Sequence, residues 1–233
     1  MDTRMERIRQ DFENNQLGVD EPFDFRCTLC GKCCIHREDI FLTPKDLYNL
    51  ARELHQMPEA VFDQYCEWYI GADSRLPIVR LKPQGSVRRC PLLKDQKCSV
   101  HNAKPTVCAI FPIGRGMAVE KSRIDEVTTA DIRYFFTNPG CGDGSETHTV
   151  KEWLGAFGIP LQDDFFIEWQ KCLIKLSLRF REMEKKLGSN MRAVWDSALV
   201  LLYLTYEVGL EFEPQFGEHM ADLQKLLDKL EKN

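Results

Sequence analysis

The rhythm of apolar and polar positions changes twice along the chain. Residues 1–24 are dominated by charged and amide side chains and predict a short polar helix followed by a connection. From Phe25 the pattern breaks into short elements punctuated by Cys, Pro and Gly, and beyond about residue 148 it becomes plainly helical. The expected organisation is therefore 1–24, a cysteine-bearing region over 25–148, and a helical region over 149–233 packed on it as one unit.

Local signals place the elements. Thr43-Pro44-Lys45-Asp46 sets a capping hydroxyl before a proline at the first helical position, with an acid in the first turn. Leu47, Leu50, Ala51 and Leu54 follow at helical spacing. A second helix is predicted from Pro58, with Val61, Phe62, Tyr65, Cys66 and Tyr69 on one face. Residues 76–81 read as a strand, and 124–136 are β-branched and aromatic without a settled period. Thr149 and Glu152 form a capping box. Residues 163–186 align Phe165, Phe166, Trp169, Leu173, Leu176, Phe180 and Met183, with Gly188 as terminator. Residues 191–206 are apolar nearly all round and so predict the most buried element, while 216–232 are amphipathic through Met220, Leu223, Leu227 and Leu230. The fold class expected is mainly α, with an irregular cysteine-rich metal-binding head, few short strands and a C-terminal helical bundle.

Composition narrows the function classes. With 14 Phe, 6 Tyr and 4 Trp in 233 residues, the chain has the material for a sizeable core. A formal net charge of −5 argues against a nucleic-acid binder, which needs a basic field. The longest unbroken apolar run, 198–204, is far short of the roughly 20 residues that a bilayer demands. The first 26 residues hold seven acids and no apolar segment of secretory type, so the expected compartment is the reducing cytoplasm.

In that setting ten cysteines stand out. Thiols clustered in a reducing compartment read as metal ligands or redox groups rather than disulfides, and a bridge between the adjacent Cys33 and Cys34 would be strained. The decisive stretch is Phe25-Arg26-Cys27-Thr28-Leu29-Cys30-Gly31-Lys32-Cys33-Cys34. A two-residue spacing lets paired thiolates converge on one cation, and Gly31 permits the left-handed backbone that closes such a knuckle. Cys33 repeats the spacing, and Cys34 points elsewhere, toward a second metal or a bridging role. Cys90, Cys98 and Cys108 follow at separations suited to successive short turns, and Cys141 lies in a glycine-rich loop. The candidate metal ligands are Cys27, Cys30, Cys33, Cys34, Cys90, Cys98, Cys108 and Cys141, with His36 and His101 close enough in sequence to complete a mixed site. Cys66 and Cys172 fall on apolar stripes and read as core thiols.

At these residues the chain resembles the CxxCxxCC cysteine-cluster family, also called YkgJ-type, a zinc- or iron-chelating domain. The likeness is carried by Cys27-x-x-Cys30-Gly31-x-Cys33-Cys34, Leu42-Thr43 with Asp46, Cys90-Pro91-Leu92, Cys98-Ser99-Val100, Pro105-x-x-Cys108 and Phe111-Pro112. Relatives usually have Arg at the positions of Lys104 and Ala109, Tyr at His101, and Cys at Asn138. The resemblance implies a bound zinc or iron. Thiols in excess of four also admit an iron–sulfur cluster or more than one metal. Two classes of function are expected from it. One is a metal-binding protein whose metal is structural, delivered or sensed, with the C-terminal helices offered to a protein partner. The other is a metal-dependent enzyme modifying a protein or small molecule, since a distant part of the family is linked to flagellin lysine methylation. No glycine-rich cofactor loop or recognisable base supports the second.

Overall fold

The structure is a computed structural model and describes residues 3–35, 39–117 and 121–232. About half of the chain is helical and about a fifth is strand. In chain order the elements are α1 (Thr3–Asn14), β1 (Gln16–Leu17), β2 (Pro22–Arg26), α2 (Pro44–Glu53), α3 (Pro58–Tyr65), β3 (Cys66–Ile70), β4 (Pro77–Leu81), β5 (Leu93–Lys94), β6 (Lys97–Cys98), α4 (Thr106–Ala109), β7 (Ile113–Met117), β8 (Ile132–Phe136), β9 (Asp143–Thr149), α5 (Val150–Gly155), α6 (Asp164–Leu187), α7 (Met191–Leu199) and α8 (Phe212–Lys232). Short 3-10 turns at Lys32–Cys34 and His101–Ala103 carry or flank cysteines, and a π-helical segment, Val200–Leu204, prolongs α7. Among the described residues no helix is long and apolar enough to cross a membrane.

The strands are short, and among the described residues they form four small antiparallel sheets, β1-β8-β7, β2-β9, β3-β4 and β5-β6. One element departs from expectation. Cys66 and Tyr69 lie on strand β3, not on the helix predicted from Pro58, which ends at Tyr65. Apolar positions 61, 62, 65, 66 and 69 fit helical spacing, but a partner strand decides the matter. Cys66 pairs with Leu81 and Tyr69 with Ile78, while Glu67 faces Arg80 and accepts its Nε–H at 2.9 Å. The 124–136 segment resolves into 3-10 turns followed by β8.

Helix starts follow the capping chemistry written in the sequence. Thr43 caps α2 in a complete capping box with Asp46, and Pro44 occupies its first turn. Thr149 and Glu152 do the same for α5, and the Asp163 carboxylate caps α6 by accepting from Phe166 N. Gly188 ends α6 with φ 52°.

Two apolar clusters result, and each draws on residues from both sides of α5. The larger packs Leu47, Leu50, Val61, Val79, Leu92 and Val100 against Trp169, Phe180, Met191, Leu202, Phe216 and Leu227. The smaller gathers Phe23, Phe25, Ile110, Ile113, Tyr134, Val150 and Leu154. At 24 residues, α6 is about 36 Å long and serves both. Phe165, Trp169, Cys172, Leu176, Phe180 and Met183 enter the first cluster, and Ile167 enters the second.

Candidate metal centre

Strand β2 delivers the first cysteines. Beyond Arg26 the chain turns back through Leu29 (φ 54°) and Gly31 (φ 69°), and the 3-10 turn carrying Cys33 and Cys34 is held by Cys34 N–H donating to Gly31 O at 2.9 Å. This is the left-handed closure that Gly31 was expected to supply. The β2-β9 register pairs Arg26 with Asp143, so the 140–142 turn lies against the knuckle. The approach is close. A Cβ on Gly142 would stand 2.4 Å from Arg26 O and 2.6 Å from the Phe25 ring. Glycine at 142 is therefore a packing requirement for bringing Cys141 to Cys27 and Cys30, not only a source of loop freedom.

The later cysteines are tied to the larger core. Cys90 N–H donates to Cys34 O at 2.8 Å, and Cys90 is only 8% exposed. The β5-β6 hairpin turns on Asp95 and Gln96, both at positive φ, and carries Cys98 back. Ser99 pins the hairpin base by donating from both N and Oγ to Leu92 O at 2.9 Å. The Leu93 side chain of this hairpin lies 3.8 Å from where a Gly31 Cβ would be, so knuckle and hairpin abut. Cys108 sits on α4, whose first turn is clamped by a carboxylate from another helix. Asp46 Oδ1 accepts from Thr106 N and Thr106 Oγ1, both at 2.7 Å, while its Oδ2 accepts from Thr43 N and Thr43 Oγ1, both at 2.8 Å. Asp46 is 4% exposed. Its capping role was legible in Thr43-x-x-Asp46; its second role, across to Thr106, was not.

The thiols act on one another throughout. Cys33 and Cys34 Sγ are 3.8 Å apart. The Cys34 thiol is driven well above its ordinary range, first by its hydrogen bond with Cys33, then by burial and by the charges of Cys33, Cys90 and Cys108. Burial raises Cys98, reinforced by Cys33 and opposed by the Val100 N–H and Lys104. Burial, then the charges of Cys33, Cys30 and Cys27, push Cys141 up to about 11. Cys30 alone of these is lowered, chiefly by the Lys32 N–H, with the Gly142 N–H and Thr28 assisting. These influences link Cys34 with Cys33, Cys90 and Cys108, Cys98 with Cys33, and Cys141 with Cys27, Cys30 and Cys33.

Among the described residues, no three or more His, Cys, Asp or Glu side chains already stand in an arrangement that could hold a metal ion. The donor chemistry nevertheless suits a soft cation. Thiols dominate, and thiols that raise one another's pKa are those that a cation would relieve. His36 lies outside the described residues. The His101 ring is directed to Phe157, 6.1 Å between centroids, and its pKa is lowered by burial and by Lys104. Cys66 and Cys172 are buried, and burial pushes both thiols up to about 12. Cys172 Sγ lies 3.5 Å from Met220 Sδ, inside the larger core.

A cleft of about 800 Å³ opens on the other side of the Cys108 segment, walled by Thr106, Val107, Ala109 and Ile110 and by the aromatic rings of Phe157, Phe166 and Trp169. Arg115 and Asp163, paired at 2.8 Å, line it too.

No curated protein and no solved structure is matched by the chain. A family model does match, and it covers the knuckle, the hairpin and α4 but stops short of Cys141. Residues 26–130 match the model of the CxxCxxCC family, whose description reads "Putative zinc- or iron-chelating domain".

Proposed function

We propose that the chain chelates zinc or iron through Cys27, Cys30, Cys33, Cys34, Cys90, Cys98, Cys108 and Cys141, in a cysteine-rich head supported by the helical region. The observation that carries this reading is the packing of three cysteine-bearing stretches remote in sequence: the knuckle meets the Cys90–Cys98 hairpin through Cys90 N–H to Cys34 O and Leu93 against Gly31, and meets the 140–142 turn through Gly142 against Arg26 O. A bound cation supplies the positive charge that lets these thiols deprotonate side by side, so binding releases protons and weakens as pH falls. The protein's own contribution is placement. The Lys32 and Gly142 N–H groups stabilise the Cys30 thiolate, Asp46 holds the Cys108 turn, and Gly142 lets the Cys141 loop close. The metal is structural, delivered or sensed, in a reducing compartment that keeps the thiols free.

Elemental analysis and a visible spectrum of protein purified anaerobically without chelator test the reading. At least one equivalent of zinc or iron is expected, lost in Cys30→Ser. An iron–sulfur centre would show charge-transfer absorption, and zinc would be colourless. Metal-free protein would overturn the proposal.

One observation favours a second reading, a metal-dependent enzyme acting on a protein or small molecule. The aromatic cleft adjoins the Cys108 turn, so a substrate there would lie one short helix away from the thiols. Turnover of a reductant or methyl donor by the metal-loaded protein, abolished by filling the cleft with Ala109→Trp, would support it. Stoichiometric inert zinc would exclude it.

A further inference from the structure

The cleft beside the Cys108 segment plays no part in chelation, and its two walls differ in character. One is apolar: Phe157, beyond the end of α5, and Phe166 and Trp169 on α6 line it. The other is polar and is laid down by α2. Asp46, Asn49 and Arg52 recur at three-residue intervals along that helix, and all three line the cleft. The Asp46 bonds to Thr106 and the packing of α2 on the His101–Ala103 turn bring Asn102 and Lys104 to this side. Most charges in the cleft are already answered. Lys45 pairs with Glu213 at 2.5 Å and Arg115 with Asp163 at 2.8 Å, while the Asp46 carboxylate is taken up by four donors. Arg52 and Lys104 differ. Among the described residues neither has a carboxylate partner, and each lies over a ring instead. The Arg52 guanidinium is 5.6 Å from the Tyr48 centroid, and Lys104 Nζ is 5.2 Å from that of Phe157. Lys104 is also partly buried. A lysine held in a cleft loses hydration, and a ring face returns less than an anion would.

We propose that this cleft binds a small aromatic carboxylate, its flat body against Phe157 and Trp169 and its carboxylate at Lys104, with Arg52 adding to the positive field. A volume of about 800 Å³ lies in the range of small-molecule sites, and an apolar lining with a few polar groups is their usual make-up. The charge of the ligand follows from the wall. Lys104 and Arg52 call for an anion, whereas Asp39 and Glu53, which also border the cleft, disfavour a second negative charge. A single carboxylate therefore fits better than a phosphate dianion. An aromatic body fits the rings at their ordinary stacking and edge-to-face separations. The proposal stands apart from chelation, since none of the residues it uses is a candidate metal ligand.

The test uses the full chain as purified and isothermal titration calorimetry with 2-naphthoate, 2-naphthamide and 2-naphthylmethylamine. One equivalent of 2-naphthoate should bind, with the amide about tenfold weaker, as expected where a charge-assisted hydrogen bond is lost, and the amine weaker still. Lys104→Met should make acid and amide bind alike, and Lys104→Arg should restore the preference. A lysine that served only the fold would leave the ratio of the two affinities unmoved. A second arm needs no variant. Irradiation of the wild-type protein with 4-benzoylbenzoate, itself an aromatic carboxylate, should cross-link residues 102–107 or 157–170, as read by peptide mass spectrometry. No binding of 2-naphthoate at millimolar concentration, equal wild-type affinity for acid and amide, or an acid preference kept by Lys104→Met would overturn the proposal. So would cross-links confined to the cysteine-bearing turns at 26–35 and 138–142. None of these outcomes bears on metal content, so failure here leaves chelation intact.

Discussion

Replacing Asp46 should unfasten the turn that carries Cys108 as well as the helix that Asp46 caps. The side chain is nearly fully buried and accepts four hydrogen bonds, two from Thr43 and two from Thr106. In Asp46→Ala the capping box of α2 is lost, a cost of about 1 kcal/mol. The larger cost lies at Thr106. Its N–H and hydroxyl each lose a carboxylate acceptor, and net values for such bonds run at about 1.5–3 kcal/mol apiece. The pair shares one oxygen, and relief from burying a carboxylate offsets part of the loss. The expected destabilisation is therefore about 3–4 kcal/mol, a large fraction of a typical domain's stability. Asp46→Asn keeps an acceptor on one side and should cost about half as much, because its amide nitrogen then faces donors. Urea unfolding followed by tryptophan fluorescence measures both. A double-mutant cycle with Thr106→Val supplies the stricter test. The two changes remove a shared contact, so their effects should fall short of additivity by about 1 kcal/mol. An Asp46→Ala protein within about 0.5 kcal/mol of wild type, or additive effects in the cycle, would refute the clamp.

Four further outcomes follow from the geometry. Cys172→Ala should cost about 1–2 kcal/mol through lost packing on Met220, and both it and Cys66→Ala should leave metal content unchanged by elemental analysis. Gly142→Ala should displace the 140–142 turn from Arg26 O and from the Phe25 ring, slowing no folding step of the larger core but lowering metal retention measured by equilibrium competition with a chelator. The carboxyl of Glu184 is held below its ordinary range by hydrogen bonding to Arg75, so the pair contributes stability above the unfolded carboxylate range and loses it as pH falls through the lowered value. Glu184→Gln should accordingly cost a little stability at neutral pH, and its gap to wild type in urea titrations should narrow as pH falls below the ordinary carboxylate range. Removing metal should lower amide-exchange protection in 27–35, 90–109 and 138–143, where backbone pairing is confined to short turns and two-residue strands, while α6, α7 and α8 keep theirs; equal protection with and without metal would count against chelation by these segments.

The helical region was legible because its signals are local. Asp163, Thr149 and Thr43 cap helices by contacts three residues away, and Gly188 stops α6 through its own backbone. Phe165, Trp169, Leu176 and Phe180 share one face by spacing alone. Strand β3 was misread for the opposite reason. Cys66 and Tyr69 satisfy a helical period, and what makes them a strand is Pro77–Leu81, a partner whose pairing cannot be seen from positions 58–70. The pairing of the few short strands expected into four small sheets among the described residues is hidden on the same ground. Two-residue strands such as β1 and β5 carry no period at all and exist only by virtue of β8 and β6.

The site divides along the same line. The knuckle turn was readable from spacing, since two-residue gaps and a glycine fix it locally, and the left-handed turn at Gly31 is where it was expected. Which cysteine is buried, and which partner it has, was not readable, because those properties come from contacts spanning the chain. Cys34 and Cys33 are adjacent in sequence, yet one is tied through its carbonyl to Cys90 and packs on the larger core, and the other acts on Cys141. Asp46 shows the same limit in a polar residue: the sequence marks it as a cap, and only the fold turns its second oxygen to Thr106. The proposed metal site, with candidate ligands from three remote stretches, therefore depends on residues outside the cysteine set. Of these, Asp46 and Gly142 are the two whose loss should be felt most, one by releasing the Cys108 turn from α2 and the other by holding the 140–142 loop away from the knuckle.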